Sequence, residues 1–377
     1  MILIRRFAMS LFALLVTGYA AMLMATEKQS YVLMLLAGGA VVTGIAFKTG
    51  VLKYLRNCDL PGWPETLAIL GVIALAAYFY DEHFALLMLA TVLFMSVACF
   101  GLTIQMGYAG VVNFAGAAFF GVGSYAAAVL TKVDGLSDVI VLAIGGLIAA
   151  AIGSLLILPV LRTRGHYAAL VTIAFGILFK TFLEVNDVLG GPQGLKVSGL
   201  DLFGWKFNDN IEIGAWEISF YVKYVLLGLV LFVLAFGITR RLERSWMGLA
   251  LDAVRLDEIA AATFGISPAR WKILAFTLGN FLAGVAGAAF AMMLGFIAPN
   301  NFTLGDSLIM VSIVILGGIG NPWGVPLAAA IVIILPEKLQ VLQEYRFLLY
   351  AALVIVTLLV RPQGLLPRGM RVYPKTR

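Results

Sequence analysis

Two stretches of this chain carry side chains whose types and spacing could do more than pack. The first runs from Gln105 to Tyr125, where the amides of Gln105 and Asn113 stand among apolar residues and the glycines Gly107, Gly110, Gly116, Gly121 and Gly123. Glycine at that density permits a broken helix whose backbone faces a polar cavity, and it also lets helices approach closely. A polar solute passing Gln105, Asn113, Gly121, Gly123 and Tyr125 would be handled by backbone groups and a few side chains, without a fixed charge. That chemistry is recognition and passage, not bond making.

The second stretch, Arg240 to Lys272, reads as two short helices and a turn. Ser245 can cap a first helix, in which Leu249, Ala253 and Leu256 recur at helical spacing as its apolar stripe. Asp257 can cap a second through Ala262, which Gly265 would end in a left-handed turn. Ser267-Pro268 then opens another helix with proline in its favoured first position. An exposed amphipathic pair of this kind has one side that must rest on something, either a membrane interface or a partner protein.

Other chemistry lacks the residues it needs. No Walker A pattern occurs, so the chain has no such route to ATP. Gly318, Gly320 and Gly324 imitate a dinucleotide fingerprint but fall in a short connection with no strand before it. Cys58 and Cys99 lie without zinc or redox spacing, and the two histidines, His83 and His166, sit at expected helix ends. Lys180, Glu184 and Asp306 lie near the ends of apolar segments, and no segment holds a paired set of acids. Neither an enzyme nor a metal site is expected, and no cofactor held by this chain.

The elements that must position these residues are membrane helices. Of 377 residues, 62% are hydrophobic and 12% charged, and mean hydropathy is +1.01, against roughly half apolar and a quarter charged in soluble domains. Hydropathy marks segments near 7–25, 31–47, 66–80, 84–105, 108–130, 139–161, 167–184, 219–239, 273–296, 303–319, 324–340 and 346–360. The expected fold is an all-α polytopic membrane protein of ten to twelve transmembrane helices. The first segment, which follows Arg5 and Arg6, is too long for a signal core and reads as a retained span.

Threading the segments with the N-terminus inside gathers most of the 26 Lys and Arg on one side, including Arg5, Arg6, Lys48, Lys53, Arg56, Arg162, Arg164, the 240–272 loop and the stretch after Arg361. The positive-inside rule then places both termini and the 240–272 loop in the cytoplasm. The long stretch 186–217, with Gly190-Gly191-Pro192-Gln193-Gly194, falls on the other side. The net charge of +6 reports that loop bias rather than nucleic-acid binding.

These residues in order resemble a family. Ser245-Trp246-Met247-Gly248 through Gly265-Ile266-Ser267, Ile297-Ala298-Pro299-Asn300-Asn301-Phe302, Leu316-Gly317-Gly318-Ile319-Gly320 and Arg361-Pro362-Gln363-Gly364-Leu365 carry the likeness. Gly121-Val122-Gly123-Ser124-Tyr125 and Val171-Thr172-Ile173-Ala174-Phe175-Gly176 fit upstream. Over about residues 90–367 the chain is similar to the M-type permease subunit of bacterial branched-chain amino-acid importers of the ATP-binding-cassette class.

Residues 1–85, read from hydropathy as extra N-terminal transmembrane helices, lie outside the resemblance, which implies a permease domain over 86–367 and a cytoplasmic tail over 368–377, in the bacterial inner membrane. It implies a sister permease, two cytoplasmic ATPase subunits that use the ATP, and an extracytoplasmic binding protein. The loop residues Gly248, Arg255, Glu258, Ala261, Gly265 and Arg270 would form the ATPase-coupling element. The general importer pattern has Glu-Ala-Ala six residues before the glycine, whereas this chain has Ile259-Ala260-Ala261 with Glu258 adjacent. The rival readings are a permease for urea or short amides and an ion-coupled secondary carrier, the latter lacking the expected intramembrane charges.

Overall fold

Hydropathy makes the helices and local chemistry ends them. The computed structural model describes residues 2–26, 63–133, 136–162, 166–202, 204–213 and 216–339, with parts of 28–39 and 345–368. Among the described residues, the α-helices with described bounds are, in order, α1 (Ile2–Ala25), α2 (Trp63–Tyr78), α3 (His83–Leu102), α4 (Gly116–Leu130), α5 (Asp138–Arg162), α6 (His166–Val185), α7 (Tyr221–Arg244), α8 (Trp246–Leu256), α9 (Glu258–Thr263), α10 (Pro268–Leu294), α11 (Leu304–Gly317) and α12 (Gly324–Lys338). A π-helical turn, Thr103–Tyr108, continues α3.

Among the described residues six stretches are long and apolar enough to cross a membrane: His83–Tyr108, Asp138–Leu161, Ala168–Val185, Tyr221–Arg244, Pro268–Leu294 and Pro299–Gly317. Ala13–Ala25, Glu65–Tyr78 and Gly116–Leu130 are apolar but shorter. The segments expected at 31–47 and 346–360 fall largely outside the described residues, as do Lys48, Lys53, Arg56, Cys58, Arg164 and the tail beyond Arg368.

The chain divides into two units, one of Met1–Ala90, Asn210–Leu229 and Ile333–Tyr345, the other of Thr91–Asp209, Val230–Val332 and Arg346–Arg377. In the first, α1 packs on α2. Lys338 Nζ donates to the carbonyls of Met24 and Thr26, where the end of α1 leaves acceptors unpaired. Two short strands, β4 (Ile211–Ile213) and β5 (Trp216–Ile218), pair antiparallel with Ile211 opposite Ile218. Ser219 holds this hairpin to the α2–α3 turn: its amide donates to the Tyr80 carbonyl at 2.9 Å, and its hydroxyl lies 2.6 Å from His83 Nδ1.

In the second unit α10 is central, packed along α4 and α5. Its glycines make the approach possible. A Cβ at Gly279 would fall 2.6 Å from the Gly101 carbonyl oxygen, and one at Gly284 2.8 Å from that of Gly145; one at Gly287 would strike the Phe120 carbonyl. With no hydrophobic drive between helices in lipid, such contact is the main source of association. Ser124 Oγ reinforces it by donating to the Gly287 carbonyl at 2.9 Å, as does the 2.7 Å contact between Ser154 and Thr277 hydroxyls.

The described residues of 186–217 form turns and short strands. Asn186 Oδ1 accepts from the amides of Val188 and Leu189 at 3.0 and 3.2 Å. Gly190, Gly191 and Gly194 all take positive φ. The run then forms β1 (Leu195–Lys196), which pairs with β6 (Phe296–Ile297), and a second small pair of β2 (Asp201–Leu202) with β3 (Trp205–Lys206).

Candidate functional site

The chain breaks in the middle of its most buried region. After the π-helical turn, Gly110 takes φ +69°, residues 111–113 run without helix, and α4 starts only at Gly116. Fifteen residues of α4 span ~22 Å at 1.5 Å per residue, short of the ~30 Å hydrocarbon core. A helix start inside the unit exposes amide N–H groups that nothing in lipid can satisfy, and here side chains take them up. Asn113 Oδ1 accepts from the Ala115 amide at 2.8 Å, Thr172 Oγ1 from Phe114 at 3.1 Å, and Ser307 Oγ from Ala117 at 3.1 Å.

Behind them lies an amide cluster. Gln105 Nε2 donates to Asn280 Oδ1 at 2.9 Å and to the Phe276 carbonyl at 3.1 Å. Asn113 Nδ2 donates to Gln105 Oε1 at 2.8 Å and approaches Asn280 Oδ1 at 3.4 Å. All three amides are buried. Asn280 Nδ2 has no hydrogen-bond partner among the described residues. The site therefore presents donors and acceptors with no ionised group among the described residues that form it, held by the π-helical turn, α4, α6, α10 and α11.

The second candidate is the helix pair α8–α9. Ser245 Oγ accepts from the Gly248 amide at 3.3 Å, and Asp257 Oδ1 from Ile259 and Ala260 at 2.9 and 3.0 Å. Gly265 ends the pair at φ +79°, and Pro268 opens α10. Of the apolar positions Leu249, Ala253 and Leu256, the two leucines stay exposed, while α8 buries Gly248, Ala250, Leu251 and Val254. Helical spacing alone allowed either face, and packing of α8 on α10 and the π-helical turn selects the second. Leu256, Ile259 and Phe264 are left 79%, 77% and 86% exposed.

Beside them Trp246, Leu249, Gly265, Arg270 and Trp271 line an apolar groove of about 510 Å³, with the two indole rings edge to face at 5.3 Å. Glu258 pairs with Lys272, tying α9 to α10. Arg255 lies 3.9 Å from Asp252, and Ala261 is buried.

The sequence pattern of one family, described as "Branched-chain amino acid transport system / permease component", matches residues 84–358. The chain belongs to this permease family. It is 37% identical over 281 residues to the LivM high-affinity branched-chain amino acid transport system permease protein of Salmonella typhimurium, covering 71% of this chain and 66% of that protein. To the Escherichia coli K12 protein of the same name it is 38% identical over the same shares, so the chain spans 66% of the length of both. To the LivH permease protein of Salmonella typhimurium it is 27% identical, covering 71% of this chain and 89% of that one. No solved structure matches.

Within this permease the sequence-expected residues fall in two places. Gln105 and Asn113 meet at the break. Gly121, Gly123 and Tyr125 lie further along α4, against other residues: Gly121 against Phe302 and Phe179, Gly123 against the Gly284 backbone, and the Tyr125 ring 5.9 Å from that of Phe302. Asn280 was not among the expected residues, because it lies outside the glycine-rich run from Gln105 to Gly123. A lone asparagine inside Leu278-Gly279-Asn280-Phe281 was the available signal. Thr172 stood in a family-like motif, but nothing local marked it or Ser307 as a cap for a distant helix.

Proposed function

We propose that this chain is the membrane permease subunit of an ATP-driven importer for branched-chain amino acids. The observation that carries the reading is the α8–α9 pair: a capped, apolar-surfaced knob whose inner face rests on the π-helical turn, in a chain of this family. The outer face fits a groove on a partner, and the partner this reading assigns is a cytoplasmic ATPase subunit. The concentration of Lys and Arg in the 240–272 loop supports a cytoplasmic position for the knob, with both termini on the same side. A sister permease would complete the pathway, and a binding protein would deliver solute from the far side.

In this reading the amide cluster is the polar point of the pathway. Leucine, isoleucine or valine carries an ammonium and a carboxylate but no net charge. Amides offer an acceptor to the first and a donor to the second, and α4 adds its N-terminal amide groups. In the conformation described, Gln105, Asn113 and Asn280 satisfy one another, so passage requires them to part. ATP binding would supply that work by moving the knob, provided the ATPase grips one conformation better than the other.

Co-purification of the ATPase subunit tests the docking surface directly. Leu249→Glu or Phe264→Glu places a charge on the exposed apolar face and is expected to abolish co-purification while the chain still inserts in the membrane. Undiminished recovery of the ATPase with both variants would contradict the assignment.

A further inference from the structure

Arg368 joins three parts of the second unit that are distant in sequence. The chain reaches it through Gln363–Leu366, whose Leu365 and Leu366 amides donate to the carbonyls of Leu316 and Gly317 at 2.8 and 3.1 Å. Asn321 Nδ2 donates to the Leu366 carbonyl at 3.0 Å. Gly364 takes φ +79° and lies so near Gly318 that a Cβ would come within 2.5 Å of its Cα. The guanidinium is thus delivered from an anchored turn rather than from a free tail.

Its contacts are specific. Nη1 and Nη2 donate to Asp252 Oδ1 and Oδ2 of α8 at 2.7 and 2.9 Å. Nε lies 3.8 Å from Glu243 Oε1, near the end of α7. The guanidinium carbon stands 4.6 Å from the centre of the Tyr108 ring, the last residue of the π-helical turn. Side chains of Arg368 and Asp252 are only 12% and 16% exposed. A surface arginine needs no more than one carboxylate. Here the planar ion binds both oxygens of Asp252 and lies over the Tyr108 ring at once, which an ammonium group cannot do.

One turn along α8, the Arg255 side chain lies against Gly110, where a Cβ would come within 2.9 Å of Arg255 Cγ. Helix α8 therefore holds both sides of the Tyr108–Gly110 turn, through Asp252–Arg368 and through Arg255. Gln105, whose amide holds Asn113 and Asn280, sits on the same π-helical turn three residues before Tyr108.

We infer that Arg368 is a positioning residue that transmits displacement of α8 to the helix break. The path runs from Asp252 through the guanidinium to Tyr108, and along one turn to the amide cluster, a contiguous chain of hydrogen-bonded and packed groups. The inference rests on the reading of α8 as the element an ATPase moves.

The test is ATP-driven leucine uptake by the complete complex in proteoliposomes, with uptake per ATP hydrolysed as the readout. Arg368→Ala is expected to assemble with the ATPase and keep its basal hydrolysis, while uptake per ATP falls roughly tenfold, within the range of coupling between distant sites. Tyr108→Phe, which keeps the ring face, should match wild type, and Tyr108→Leu should fall with Arg368→Ala. This pair also decides the matter if Arg368→Ala fails to assemble. Unchanged uptake per ATP in Arg368→Ala or Tyr108→Leu, beside a transporting wild type, overturns the inference alone. A wild-type complex with no ATP-driven uptake overturns the permease reading and this inference with it.

Discussion

Asn280 Oδ1 faces two donors, Gln105 Nε2 at 2.9 Å and Asn113 Nδ2 at 3.4 Å, in a region sealed from water. Asn280→Ala strips an acceptor from a buried amide and should lower stability by about 1–3 kcal/mol, the cost of an unsatisfied buried polar group. Thermal unfolding of the detergent-solubilised protein would show it. Glycines sort by the same residue-level logic. At Gly123 an added methyl meets the Gly284 backbone, whereas at Gly237 nothing lies within 4 Å. Gly123→Ala is therefore expected to destabilise by about 1–3 kcal/mol through overpacking. Gly237→Ala should be neutral or gain up to about 1 kcal/mol, since alanine costs less in a helix interior. Equal melting temperatures for the two variants would contradict the packing assigned to α4 and α10.

Among the elements, the α8–α9 pair was the part most legible in the sequence. Its caps and breaks, Ser245, Asp257, Gly265 and Pro268, act on neighbours within a few residues, so residue type alone located them. Which face of α8 lies inward was not legible, because Leu249–Leu256 and Ala250–Val254 both satisfy helical spacing and only the tertiary partner chooses. The break after Gln105 was foreseen from glycine density. The groups that hold it were not: Asn280 and Ser307 are separated from Asn113 and Ala117 by well over a hundred residues. The strands β1 and β6 were missed for the same reason. Gly265 takes φ +79°, a value closed to proline, whose ring fixes φ near −65°. Gly265→Pro is expected to misplace α9 and uncouple ATP hydrolysis from uptake while membrane insertion survives. Arg255→Glu, which removes the contact with Gly110 and the pairing with Asp252, should do likewise. Wild-type uptake per ATP in both variants would contradict a coupling role for this element.

For the whole molecule, composition required lipid and the scarcity of ionised groups inside the spans left no evident internal source of work. The second unit answers that scarcity with a neutral polar cluster at a helix break, and with a helix pair whose one face packs on that break while the other stands open. Under the proposed function, a chain so built gates a passage that another protein drives. The direct measurement is uptake of labelled leucine, and of urea beside it, by the complex of this permease with its ATPase, sister permease and binding protein. The account predicts that leucine accumulates only when ATP is hydrolysed and the binding protein is present, and that urea does not accumulate. Leucine uptake without ATP or the ATPase subunits, or ATP-driven accumulation of urea in place of leucine, would contradict it.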